Sequence, residues 1–137
     1  MTAQVTRPRT RTRNTLLHRA LQLDAVASGI LGAVLVAASE PVGRLLDLPP
    51  ILLFGAGLVM LAWAAVTGWL GTRLVVPRGG AIAAVVVNLV WVANSVVLLL
   101  TGWVEPNGLG VAFILVQALA VLALTELQYT GLRRARA

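Results

Sequence analysis

The sequence predicts an all-α membrane protein, a bundle of four transmembrane helices with both termini in the cytoplasm. Three observations carry that expectation. Four apolar stretches, roughly Ala20 to Ala38, Ile51 to Leu70, Ala81 to Leu100 and Leu109 to Leu127, fill most of the 137 residues, and a helix needs about 20 apolar residues to cross a bilayer. The chain is 58% hydrophobic and 12% charged, whereas a soluble domain averages about 25% charged. Its arginines are also segregated: Arg7, Arg9, Arg11, Arg13 and Arg19 precede the first stretch or sit at its edge, Arg73 and Arg78 lie between the second and third, Arg133, Arg134 and Arg136 close the chain, and Arg44 stands alone in another loop. Cytoplasmic loops carry the Lys/Arg excess. Placing both termini and the middle loop inside puts ten arginines inside and one outside, with Glu40, Asp47 and Glu105 in the outer loops.

Each element has a local reason. Thr6 to Arg13 alternate Thr and Arg with no apolar face, and residues 1–14 are expected to be a disordered basic tail. A cleaved signal peptide ending near Ala37-Ala38-Ser39 is the alternative for this end, but Asp24 interrupts the run and the run is long for a signal. The first helix is expected to start at Asn14 or Thr15, of which Asn14 is the better N-cap, and to stop at Ser39-Glu40-Pro41, where proline disfavours continuation. Val42 to Pro50 reads as an outer loop with a short interfacial turn through Leu45, Leu46 and Leu48. Pro49-Pro50 start the second helix, which ends near Gly71. Thr72 to Gly80 form the inner loop, and the third helix runs to about Thr101-Gly102. Glu105-Pro106-Asn107-Gly108 reads as a turn, since Asn-Gly tolerates positive φ. The fourth helix frays near Gly131, so the bundle domain is expected over 15–132 and a basic tail over 133–137.

A weak internal repeat pairs Glu40-Pro41-Val42-Gly43 with Glu105-Pro106-Asn107-Gly108, and places Asp24 and Asn88 at nearly equal distances ahead of them. Two parallel helical hairpins would produce this pattern. So would the shared need of any two hairpins for Pro/Gly turns.

Small residues let helices approach in lipid. Ala25, Gly29 and Ala33, continued by Ala37, form the best stripe, with Ser28 and Gly32 beside it. The candidate polar groups inside the spans are Asp24, Asn88, Asn94, Gln117 and Glu126. Asp24 is read as an interfacial carboxylate near Arg19 and His18, with a proton or cation site as the sharper alternative. Asn88, Trp91 and Ser95 share one face of the third helix, Asn94 points elsewhere, and Gln117 shares a face with Gln128. Such groups are expected to hydrogen-bond between helices. Glu126 is placed at the inner interface, within reach of Arg73, Arg133 or Arg134. Trp69, Tyr129 and Trp103 suit interfacial belts. Trp63 and Trp91 lie deeper, as packing residues or as the walls of a site for a flat apolar ligand such as a quinone.

Several chemistries have no residues to carry them. There are no cysteines and one histidine, His18, so haem, iron–sulfur and cysteine-based metal sites are not expected. No phosphate loop or Ser–His pair is present. No catalytic residue, metal or cofactor is expected, and the chain reads as non-enzymatic.

Four spans at this length are similar to the small multidrug resistance transporters, but those carry a glutamate in mid-helix one, where this chain has Ser28-Gly29-Ile30-Leu31-Gly32. From Leu23 to Arg134 the chain more closely resembles small four-span bacterial inner-membrane proteins of uncharacterised function. The resemblance rests on Leu23 to Gly29, on Asn88 to Ser95, and on Leu127 to Arg134. It implies a bacterial plasma membrane and no named activity. The expected role is that of an accessory or interaction protein, whose partners are the lipid bilayer and either a second copy or a larger membrane protein, with no nucleic acid. A small oligomeric transporter or channel, and a binder of an apolar ligand such as a lipid or quinone, are the alternatives.

Overall fold

The computed structural model describes residues 15–134. The expected disordered tail, the Asn14 cap and the last three residues lie outside them. Five helices follow one another: α1 (Thr15–Ala37), α2 (Ser39–Leu46), α3 (Pro50–Thr72), α4 (Arg78–Leu100) and α5 (Gly108–Arg134). The four long ones are apolar and long enough to cross a membrane. They run up and down in an antiparallel bundle, with Leu17 near the start of α1 lying against Gly131 near the end of α5.

Several boundaries differ from expectation, and α4 starts at Arg78, inside the loop expected to run to Gly80. Pro41 does not end the first helix. The chain breaks earlier, at Ala38, and Pro41 sits in the first turn of α2, where its missing N–H leaves no intrahelical bond unmade. The expected turn through Leu45 to Leu48 is therefore a short helix, which buries Gly43 and Leu46 and exposes Glu40 and Arg44. Asp47 closes it at φ 57°, a left-handed conformation that aspartate tolerates better than most residues. At the turn before α5 neither Asn107 nor Gly108 takes positive φ. Asn107 instead caps: its Oδ1 accepts from the Gly110 N–H (2.9 Å), and its Nδ2 donates to the Leu45 carbonyl (2.8 Å). One side chain thus satisfies orphan groups at the start of α5 and the end of α2. The last expected boundary also shifts, because α5 continues through Arg133 and Arg134.

The closest packing runs the length of α1 and α3. Ala25 faces Gly68, Gly29 faces Ala64, and Gly32 faces Gly57. With Gln22 against Gly71, these contacts fall at steps of three, four and three along α1 and of three, four and seven along α3, multiples of the spacing that keeps two helices in register. A Cβ on Gly32 would lie 2.9 Å from the Gly57 carbonyl oxygen, whereas one on Gly29 would make an ordinary 3.6 Å contact. The seam therefore centres on Gly32 rather than Gly29, and Ala33 is exposed, outside the seam. At its open end His18 Nε2 lies 2.6 Å from the Arg73 carbonyl, and Gln22 donates to the Gly71 carbonyl (3.2 Å). Both serve carbonyls that the last turn of α3 leaves without intrahelical donors.

α5 packs on both α1 and α4, while α3 and α4 touch least of the neighbouring pairs. The bundle is closed on the α5 side and parted on the α3/α4 side. Its interior is layered. One apolar cluster holds Leu17, Leu21, Leu70, Ala81 and Ala84 near the termini, and another holds Leu35, Leu46, Leu48, Leu53, Met60 and Ile114 near α2. Polar side chains lie between them.

Candidate functional site

Asp24 sits at the centre of that polar layer. Its side chain is 2% exposed, so it is not the interfacial carboxylate expected beside Arg19, which is exposed. Nine residues into α1, Asp24 turns toward the bundle axis. Oδ1 accepts from Ser28 Oγ (3.1 Å), one helical turn away. Oδ2 accepts from Asn88 Nδ2 of α4 and Gln128 Nε2 of α5, each at 2.8 Å. Asn88 Nδ2 also donates to Gln128 Oε1 (3.1 Å). Three helices are tied at one depth by these four side chains, all buried. The physical reason is the cost of a polar group in hydrocarbon without a partner, several kcal/mol. Between helices such bonds contribute about 0.6–2 kcal/mol each.

A second group lies toward α2. Trp91 Nε1 donates to Gln117 Oε1 (2.8 Å), and Gln117 Nε2 donates to Ser95 Oγ (2.9 Å) and to its own-helix Ile114 carbonyl (3.0 Å). Ser95 Oγ in turn donates to the Trp91 carbonyl (2.9 Å). The shared face of Asn88, Trp91 and Ser95 is thus the face α4 turns to α5, and it feeds both polar groups. Gln117 and Gln128 do share an inward face, but each belongs to a different group.

The remaining candidates stand apart. Glu126 is exposed near the termini end. There Trp69 and Tyr129 are exposed and carry Arg73 and Arg133 over their rings, at 4.8 Å and 5.8 Å. Trp103 is exposed at the opposite end. Asn94 is exposed on α4, on the side where α3 and α4 part, beside Gly55 and Ala56. A Cβ on Gly55 would meet nothing within 4 Å.

Three cavities open between the helices. One of about 530 Å³ lies between α1 and α5, from Leu45 and Leu109 down to Asp24 and Ser28. Two adjoin along the parted α3/α4 side. One of about 300 Å³ has Trp63, Trp91, Asn88 and Ser28 in its wall, and one of about 290 Å³ extends toward α2 past Leu52, Asn94 and Leu98. Their walls are mostly aliphatic. Trp63 and Trp91 do come together on one cavity, as a ligand-binding pair requires. Trp63 Nε1 is buried and has no acceptor, which costs about 1–3 kcal/mol.

Sequence reasoning missed the role of Gln128 and Ser28 in holding Asp24. Ser28 lies four residues from Asp24, and Gln128 lies six residues from the end of α5, so a depth count along each helix was the available signal. It also missed His18 and Gln22 as clamps on the end of α3, for which no sequence signal exists. Among the described residues no group of three or more His, Cys, Asp or Glu could hold a metal. Compared with known protein families, curated proteins and solved structures, the chain matches none.

Proposed function

We propose that this protein is a non-enzymatic accessory or interaction protein of a bacterial plasma membrane, with both termini cytoplasmic, and that its partner lies on the α3/α4 face. The observation that carries the reading is Asn94. Asn94 is exposed within an apolar span, and its carboxamide makes no hydrogen bond among the described residues. Facing lipid, such a group costs several kcal/mol unless a neighbouring helix satisfies it. The uncovered Gly55 beside it leaves room for a helix to approach closely.

The transporter reading has less support. A coupling carboxylate needs alternating access to the two sides. The Asp24 oxygens are already taken by Ser28, Asn88 and Gln128.

The test is photo-crosslinking in native membranes. A photoreactive residue at Val90, one turn from Asn94 on α4, is compared with one at Leu119, on the far surface of α5. A discrete protein adduct from position 90, lost on Asn94→Leu and absent from position 119, is expected. Lipid adducts alone from both positions would rule the reading out.

A further inference from the structure

We infer that the α3/α4 cleft binds an apolar molecule carrying an aromatic hydroxyl, such as a hydroquinone or a long-tailed phenol. The inference rests on other polar atoms than the accessory role, and its ligand's tail shares the α3/α4 cleft with the partner proposed there. It begins with two polar atoms. Asn88 spends both hydrogens of its amide nitrogen, on Asp24 Oδ2 and Gln128 Oε1. Its carbonyl Oδ1 receives no donor from the described residues. Trp63 Nε1 is the one sealed side-chain nitrogen or oxygen without a partner among those residues, so Oδ1, equally unpartnered, keeps contact with the cavity that Asn88 lines. The cleft therefore offers a free acceptor at its floor, and an unsatisfied indole donor lies buried behind its wall.

One functional group answers both. A hydroxyl donates to Asn88 Oδ1 and accepts from Trp63 Nε1–H once the indole turns toward the cleft. A quinone has acceptors only and would leave Asn88 unserved. A charged headgroup finds no arginine or carboxylate lining this cavity. The ring specificity comes from the walls. Trp63 of α3 and Trp91 of α4 line the same 300 Å³ space, and indoles favour offset or edge contacts with another aromatic ring. That volume is at the small end of ligand sites, enough for a ring but not a long tail. The tail has its own channel: Val59, Met60 and Trp91 line both this cavity and the adjoining one of about 290 Å³, which continues between α3 and α4 toward α2. Trp91 is held for the purpose, with its own N–H donated to Gln117, so its ring presents a fixed surface.

The test uses the full-length protein in detergent micelles, with para-decylphenol as probe and its methyl ether as control. Binding is read by tryptophan fluorescence quenching. Saturable quenching is expected from the phenol, with affinity about fivefold or more weaker for the ether, which cannot donate to Asn88. Trp63→Phe, which keeps a ring and loses the N–H, should weaken the phenol and the ether by a similar factor, since the ether oxygen still accepts from the indole. Trp91→Leu should weaken both. Equal, non-saturating quenching by phenol and ether would show partition into the micelle and overturn the inference. So would phenol binding unaltered in both tryptophan variants.

Discussion

Asn88 of α4 donates to Asp24 of α1 at 2.8 Å across the diagonal of the bundle. The two helices are not packed neighbours; only this contact, with Gln128 beside it, joins them at that depth. Asp24 and Asn88 also stand at matching places ahead of the two Glu-Pro turns.

If the Asp24 layer holds the helices in place, stability should track acceptors rather than charge. Asp24→Asn keeps an oxygen for Asn88 and Gln128 and should change stability by less than about 1 kcal/mol. Asp24→Leu orphans the donors of Ser28, Asn88 and Gln128 and should cost about 2–3 kcal/mol. Unfolding in mixed micelles by added SDS measures both. Equal midpoints for the two variants would show that the layer contributes nothing.

The same residue tests transport. In liposomes with an internal pH dye and an imposed gradient, wild type and Asp24→Asn should both leak at the rate of empty vesicles. A wild-type flux that vanishes in the variant would reinstate the transporter.

At the α1/α3 seam, Gly32→Ala should destabilise by about 1–3 kcal/mol, because its new methyl meets the backbone of Gly57 and Leu61 at 2.9 Å and 3.1 Å. Gly29→Ala, whose methyl meets only the Ala64 methyl at 3.6 Å, should be close to neutral. Thermal unfolding in detergent ranks them, and the reverse order would misplace the seam.

Asn107→Ala should cost about 1–2 kcal/mol, as lost N-caps do. It should also loosen α2, whose Leu45 and Leu46 carbonyls receive the Asn107 side-chain and backbone N–H groups. Hydrogen exchange in α2 should then rise selectively. Unchanged α2 protection would separate the cap from the α2 contact.

For orientation, reporter fusions at Arg78 and after Ala137 should report cytoplasm, and one at Asn107 the outside. The arginine asymmetry is the reason. Asn107 found inside would invert the arrangement.

The sequence alone determined the class, the number of spans and several helix ends, because each depends on composition within one segment: apolar length, the prolines at 49 and 50, and the Pro/Gly-rich loop between the second and third stretches. It also identified the polar positions worth following. The tertiary structure decided what they do. Whether Asp24 lies at an interface or on the bundle axis depends on the rotation of α1 about its own axis, which the Gly32–Gly57 approach fixes. Its partners come from α4 and α5, 64 and 104 residues away, and no local pattern encodes that convergence. Ala33 reads as interface at a spacing of four, but a helix pair in register alternates threes and fours, so the contact moves to Gly32. The parting of α3 from α4, which creates the cleft between Trp63 and Trp91, is likewise a property of four helices packed together.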